Sequence, residues 1–473
     1  MRPFFHRLRR TFVGDKAFYR AVLAIIIPVI IQNGISNFVN LLDNVMVGAL
    51  GDGEVSGVAI ANQLIFVFNL TIFGGLSGPG IFGAQFYGAG NIPGLRNTFR
   101  IKLLESFVLL AVACTVFLGF GPQLISIFLQ GEGDPDLAAE MLRFGNTYLR
   151  VMLIGLPAFA LSQSYAGTLR EMGETRLPMV ASVTAVATNA LFNYLLIFDK
   201  IGLHALSGVV GAATATVLSR YVELGIIVIY THARSKRFEF IQGAWRSLKV
   251  PVKLLRSVLR MGAPLLMNEL LWSVGMSTLS ALYSRCGLLV VPAVSINSTI
   301  SNLFNSVYMS MGTAVSVMVG QALGAGDFEK AKTDVWKLMA FGFAGALAMG
   351  GLLVLLAPVI PLAYTEVTPD VRHLATGLLT ITACVMPLFS IAHCSYFTLR
   401  SGGKTIITFL FDCGFTWVIA VPTALLMVSV LRADILLSYA VVELTNIIKC
   451  TLGITFIRKG TWIQNIARAH SHA

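Results

Sequence analysis

Residues 28–90, PVIIQNGISNFVNLLDNVMVGALGDGEVSGVAIANQLIFVFNLTIFGGLSGPGIFGAQFYGAG, occur twice in this chain in altered form. Moved forward by 236 positions, the stretch lies on residues 264–326 without a gap. Pro28 then falls on Pro264, Gly51 on Gly287, Val55 on Val291, Val58 on Val294 and Ile60 on Ile296. Phe68-Asn69 meets Phe304-Asn305, Gln85 meets Gln321, and Gly88-Ala89-Gly90 meets Gly324-Ala325-Gly326. Shared apolar composition would scatter such matches rather than hold one register. The chain is therefore two related halves, and function is expected where they face each other.

The 473 residues are 56% hydrophobic and only 12% charged, with mean hydropathy +0.76. That excludes a soluble domain. Apolar segments of roughly 20 residues or more recur, each long enough to cross a ~30 Å hydrocarbon core as a helix. Nothing alternates with the short period of a membrane β-barrel. Twelve spans are expected: 19–48, 54–86, 97–120, 138–165, 177–198, 208–231, 262–284, 290–322, 334–359, 371–397, 405–430 and 435–457. The fold class is thus an all-α polytopic membrane protein. Each half has six spans, an even number, so both point the same way and a pseudo-twofold runs along the membrane normal. The divisions are a basic segment 1–18, an N-lobe 19–231, a linker 232–261, a C-lobe 262–457 and a tail 458–473. An interfacial amphipathic helix is expected near 248–260.

Charge supports the count. Lys and Arg gather in 1–20, in the 232–261 linker, and at Arg96, Arg100, Lys102, Arg170, Arg176, Lys330, Lys332, Lys337, Arg400, Lys404, Arg458, Lys459 and Arg468. The opposite loops are acidic, with Asp52, Glu54, Glu132, Asp134, Asp136, Asp199, Glu366, Asp370 and Asp434. The positive-inside rule places both termini in the cytoplasm of a multi-pass protein in the cell membrane. The net charge of +12 follows from topology and anionic lipid, with no reason to invoke nucleic acid. The six cysteines are scattered, without disulfide or metal spacing.

An unpaired ion in lipid costs several kcal/mol, so intramembrane charge marks function. Span one carries Asp43 within a polar stripe of Asn33, Asn37, Asn40 and Asn44. Span five carries Asn189 and Asn193 one turn apart, and span six carries Thr214 and Thr216. Such oxygens complete a cation's shell, and they also glue helices together. In the second half Glu269 takes the place of Asn33, while Leu279 takes the place of Asp43. His393, deep in span ten, can titrate or receive substrate, although a lone histidine is more often a core residue. Asp412, Glu105, Glu443, Lys449 and the Arg220/Glu223 pair read mainly as structural ion pairs or interface groups. Asn37, Asn40, Gln63, Asn69, Trp272, Phe304, Asn305 and Tyr308 are candidates for a substrate cavity, with aromatic faces suited to an organic cation. No nucleotide-binding loop, zinc-protease helix or nucleophile elbow is present. No cofactor is expected beyond an H⁺ or Na⁺ gradient, and the chain is expected not to be an enzyme.

The run Leu42-Asp43-Asn44-Val45-Met46-Val47-Gly48, the segments 58–63, 88–90 and 211–216, Leu169-Arg170, 189–198 and 319–326 resemble the multidrug and toxic compound extrusion (MATE) transporters. The resemblance implies twelve helices in two lobes. It also implies alternating-access antiport of organic, often cationic, compounds against H⁺ or Na⁺. Asp43 matches the family's first-helix acid, and Asn189 and Thr216 match its partners in a coupling-ion site, where Na⁺ is one candidate. Asn193 stands where many members have a second acid. Glu269 resembles the seventh-helix acid; the tenth-helix acid is missing, and only His393 is a polar, titratable neighbour. Proton coupling is therefore favoured over sodium. The expected partners are an organic cation and membrane lipid, with a single chain as the functional unit. The alternatives are a lipid-linked oligosaccharide flippase of the same superfamily, an intramembrane enzyme or a channel.

Overall fold

A computed structural model describes residues 11–48, 50–129, 135–200, 202–364 and 367–470, without the side chains of 39–45, 52, 205 and 470. The first repeat is α1 (Lys16–Gly48) and α2 (Asp52–Gly88). There follow α3 (Ile92–Phe128), α4 (Pro135–Met152), α5 (Leu156–Glu171), α6 (Arg176–Ile197) and α7 (Gly208–Ala233). The second repeat opens with α8 (Val252–Ser284) and α9 (Val290–Gly324), then α10 (Phe328–Leu356) and α11 (Pro369–Ser401). Helix α12 (Thr405–Val430) and the pair α13 (Ile435–Leu444) and α14 (Asn446–Lys459) complete it.

Among the described residues ten spans are long and apolar enough to cross a membrane, counting α13 and α14 as one span. The pair α4 and α5, bent by 49°, makes an eleventh. The twelfth expected span is α8, whose first turns carry Lys253, Arg256 and Arg260. Those turns are where a separate interfacial helix was expected. Instead residues 247–251 form no helix, the Leu255 N–H donates to the Pro251 carbonyl (3.0 Å), and one helix runs from there past Glu269.

The duplication is visible in the backbone. Helices α1 and α8 both have 33 residues, with Pro28 and Pro264 inside them. Gly90 and Gly326, one 236-residue step apart, both take positive φ (69° and 77°) to end their helices. Gly173 and Gly403, which follow Leu169-Arg170 and its match Leu399-Arg400 230 residues later, do the same at 84° and 73°.

The chain divides into two compact units. One comprises Met1–Ile30, Ala84–Asn91 and Ser257–Ala473; the other comprises Ile31–Gly83 and Ile92–Arg256. This partition differs from a cut at 19–231 and 262–457, and packing gives the reason. Phe18, Val22, Ile25 and Ile26 of α1 are buried with Val315, Val319, Val335 and Leu338 of α9 and α10. Phe12 meets Trp336 edge-on, and the Lys337 ammonium lies over the Phe18 ring.

Within the same unit the ends of α2 and α9 cross at contact distance. A Cβ on Gly88 would collide with the Gln321 backbone, and one on Gly324 with the Gln85 backbone. Each residue faces its counterpart's neighbour, the reciprocal pattern of an isologous contact, so a local twofold passes through this crossing. Gln85, fully buried beside it, donates through Nε2 to the Ser401 (2.9 Å) and Gln464 (3.2 Å) carbonyls. Its Oε1 accepts from Ile466 N–H at 2.7 Å. The tail from Trp462 onward is thereby fixed to the helix ends.

In the other unit the segment after α7 folds into two short 3₁₀ turns against α3. Arg96 Nε donates to the Phe240 carbonyl (3.3 Å), and Arg100 donates to Gly243 (2.8 Å) and Ala244 (3.1 Å).

Candidate functional site

In the second half, four helices bring five polar side chains into one chain of hydrogen bonds. Helix α8 supplies Asn268 and Glu269, one turn past Pro264. From α11 the Tyr396 hydroxyl donates to Glu269 Oε1 (3.4 Å) and accepts from Asn268 Nδ2 (3.3 Å). The same amide donates to Asp412 Oδ2 at 3.0 Å. Asp412 Oδ1 accepts from Lys449 Nζ of α14 at 2.5 Å. Asn268 is 1% exposed and Tyr396 is buried, so the links are shielded from water.

Asp412 lies on the π-helical stretch Leu410–Gly414 of α12, one of three such stretches between Thr405 and Val430. Widened turns of this kind recur at functional sites because they re-aim one side chain without ending the helix.

The two acids are held differently. Asp412 and Lys449 neutralise each other at contact distance. Glu269, half-buried, is held by a neutral hydroxyl, with Arg400 acting on it through space. A proton or cation arriving at Glu269 changes the net charge of the group. The Tyr396–Asn268 link joins Glu269 to the Asp412–Lys449 pair.

In the first half the structure assembles the expected trio. Asn193 Nδ2 donates to Asn189 Oδ1 (3.3 Å), and Asn189 Nδ2 donates to Thr216 Oγ1 (3.2 Å). Thr216 in turn donates to the Ala212 carbonyl at 3.1 Å. The one-turn spacing on α6 aligns the amides, and the small residues 211–215 let α7 approach. The side chains of Asp43 and Asn40 lie outside the described residues.

His393 is not joined to Glu269 by a hydrogen bond. Its Nε2–H donates to the Met309 carbonyl at 3.2 Å, and its ring packs beside Phe397 and edge-on to Tyr308. Phe304 and Tyr308 are core residues, closed in by Ala346, Leu353, Leu379 and Met386. Tyr308 also stacks on Phe389. Gln63 is exposed, while Asn37, Asn69, Trp272 and Asn305 are half-buried. Among the described residues no cluster of three His, Cys, Asp or Glu could hold a metal ion.

Sequence reasoning missed the most enclosed ion pair. Lys102, placed with the cytoplasmic charges, is 1% exposed inside α3. It donates to Glu171 Oε1 (2.5 Å) and Thr168 Oγ1 (2.9 Å) on α5. Gly83 of α2 faces the same carboxylate closely enough that a Cβ there would displace it. Tyr396 was also missed. Its only sequence signal was a tyrosine four residues before Arg400, within a span.

A family model described as MatE matches residues 28–195 and 264–426, two blocks whose starts are one repeat step apart. The chain is 24% identical to a "Probable multidrug resistance protein YoeA" of Bacillus subtilis, covering 88% of this chain and 89% of that protein. It is likewise 24% identical to a "Probable multidrug resistance protein NorM" of Thermotoga maritima, covering 94% and 93%. Among solved structures, one described as an outward-facing multidrug resistance MATE family transporter of the MOP superfamily superposes with TM-score 0.81. It is 22% identical, covering 96% of this chain and 98% of that one. A structure described as MATE in the straight conformation also gives TM-score 0.81 at 22% identity, covering 94% and 96%.

Proposed function

The chain belongs to the MatE family of multidrug efflux transporters, and from that premise we propose that it is an antiporter, exporting organic, often cationic, compounds against an inward H⁺ gradient. It works as a single chain in the cell membrane, with both termini cytoplasmic. The observation that carries this reading is the Glu269–Tyr396–Asn268–Asp412–Lys449 chain. An acid held by a neutral hydroxyl can take up and release a cation while its neighbours remain charge-balanced. A ligand shifts a two-state protein only by binding one state better than the other, and a proton on Glu269 alters the bonds joining four helices. On the resemblance, Asp43 acts with Asn189, Asn193 and Thr216 as the coupling-ion residues of the first half.

Two features favour H⁺ over Na⁺. In the trio of the first half Asn193 stands in place of a second carboxylate, so the trio itself supplies no charged oxygen for a metal cation. Tyr396 donates to Glu269 where a sodium ion would require an acceptor.

The test uses purified protein in proteoliposomes with ethidium as the fluorescent cation. A pH gradient and a Na⁺ gradient are imposed separately. Ethidium movement driven by the pH gradient and absent from protein-free vesicles is the expected result. Movement driven by Na⁺ alone would reassign the ion, and no movement under either gradient would refute antiport of this cation.

A further inference from the structure

The later part of the repeat contains a pair of acids whose surroundings have diverged. Val222-Glu223-Leu224 on α7 aligns with Val442-Glu443-Leu444 on α13 at an offset of 220. Glu223 is paired with Arg220, one turn before it, at 3.2 Å. The counterpart of Arg220 is Ala440. None of the ion pairs among the described residues includes Glu443.

Neutral polar groups have taken the place of the missing cation. The Tyr439 hydroxyl, one turn before Glu443, lies close enough to its carboxylate to act on it. Asn446 Nδ2 donates both to Glu443 Oε2 (3.3 Å) and to the Glu443 carbonyl (3.0 Å). That carbonyl lies at the junction of α13 and α14, where Thr445 keeps helical backbone angles and the span continues.

Behind Tyr439 the polar groups continue. Its hydroxyl meets Thr382 Oγ1 (3.0 Å) and accepts from Asn297 Nδ2 (3.1 Å). Asn297 Oδ1 accepts from Thr382 (3.1 Å) and Ser301 (3.3 Å). Each hydroxyl has one proton. With Thr382 donating to Asn297, Tyr439 donates to Thr382. With Thr382 donating to Tyr439 instead, the phenol proton is free for the Glu443 carboxylate, so the chain can reverse when the charge there changes.

A separate observation points to the same place. Tyr283 of α8 packs edge-on to the Tyr439 ring at 5.5 Å and is 5% exposed. Its hydroxyl has no hydrogen-bond partner among the described residues. A buried hydroxyl left so costs free energy unless an exchangeable group meets it.

We propose that Glu443 is a second proton-binding site of the second half, formed by Tyr439, Tyr283, Asn446, Asn297 and Thr382 and separate from the Glu269 chain. The titratable groups facing it are the phenols Tyr439 on α13, Tyr283 on α8 and Tyr308 on α9, all neutral near pH 7. Beyond Tyr308 lies His393, held by the Met309 carbonyl, and Lys449 of α14 is committed to Asp412. With no cation at contact among the described residues, a bare carboxylate here carries much of the cost of an unpaired ion in lipid, and a proton removes it. Sodium fits less well, because Tyr439 and Asn446 present donors and Asn297 Oδ1 already accepts two bonds.

Infrared difference spectroscopy on the full-length protein in lipid, titrated upward in pH, tests proton binding without requiring transport. The wild type is expected to show a protonated-carboxyl band that bleaches, and Glu443→Gln to lose it. Glu443→Asp is expected to restore a shifted band. Ala440→Arg, which rebuilds the i,i+3 pair of the first half, is expected to lose the band as well. Glu223→Gln, which removes an acid already paired with arginine, is expected to leave it unchanged. Superimposable spectra of wild type and Glu443→Gln would overturn the proposal, as would bleaching by NaCl at fixed pH. Only the link to export rests on the antiport reading. If the band titrates while ethidium is not transported by the wild type, that reading fails and the proton site stands.

Discussion

Lys102–Glu171 in the first half and Asp412–Lys449 in the second are both intramembrane ion pairs at 2.5 Å, yet they differ in what surrounds them. Around Lys102 the pair is closed. Thr168 takes a further proton of the ammonium, and the flank of α2 at Gly83 lies against the carboxylate. Around Asp412 it is open-ended, because Asn268 and Tyr396 extend it to a third charge, Glu269. That acid is in none of the ion pairs among the described residues. A closed pair resists any change of protonation, since losing either charge strands the other in a low dielectric. An extended one can gain or lose a charge at its far end while its core pair stays intact. On this comparison the first pair serves the fold, and the second belongs to the group proposed to serve coupling.

The largest expected effect comes from opening the closed pair. Lys102→Met should destabilise the protein by about 3–5 kcal/mol, the range for stranding one member of a buried pair. A thermal-shift assay should show it, and Lys102→Met combined with Glu171→Leu should recover most of the loss. A single variant as stable as wild type would mean that the pair is wet and unimportant.

Next comes the crossing of α2 and α9. Gly324→Ala puts a methyl group against the Gln85 backbone and should cost about 1–3 kcal/mol. Gly88→Ala should cost a similar amount, as reciprocal contacts require. Unequal costs would show that the local twofold is only approximate.

A smaller effect is expected where the open chain is cut without removing a charge. Tyr396→Phe deletes one hydroxyl and should lower pH-driven ethidium transport roughly fivefold, about 1 kcal/mol, with little change in melting temperature. Equal losses of stability and transport would make Tyr396 a packing residue. The smallest effect belongs to the first-half trio. Thr216→Val removes one interhelical hydrogen bond, worth about 0.6 kcal/mol in a membrane protein, and should be barely visible in a thermal scan.

Much of the fold was legible in the sequence because the signals were local or periodic. Hydropathy located the spans, and the shared register from Pro28 and Pro264 to Gly90 and Gly326 fixed the duplication. Asn189 and Asn193 could be placed on one face by counting a turn. Partners brought together by tertiary packing were not legible. Nothing near Lys102 announces Glu171, 69 residues further on, and a charge count sets that lysine among the cytoplasmic-side charges. Neither does Gln85 announce that it will fix the backbone at Ser401 and Ile466. Phe304 and Tyr308 show the converse: aromatic character suggested a cation-binding wall, and packing on α10 and α11 made them core.

The most direct measurement compares pH-driven ethidium uptake into proteoliposomes by wild type, Asp43→Asn and Glu269→Gln, each checked for folding by thermal shift. If ion exchange at these acids drives the conformational cycle, both variants should remain folded and lose uptake at least tenfold. Folded variants that transport at the wild-type rate would remove both acids from the mechanism.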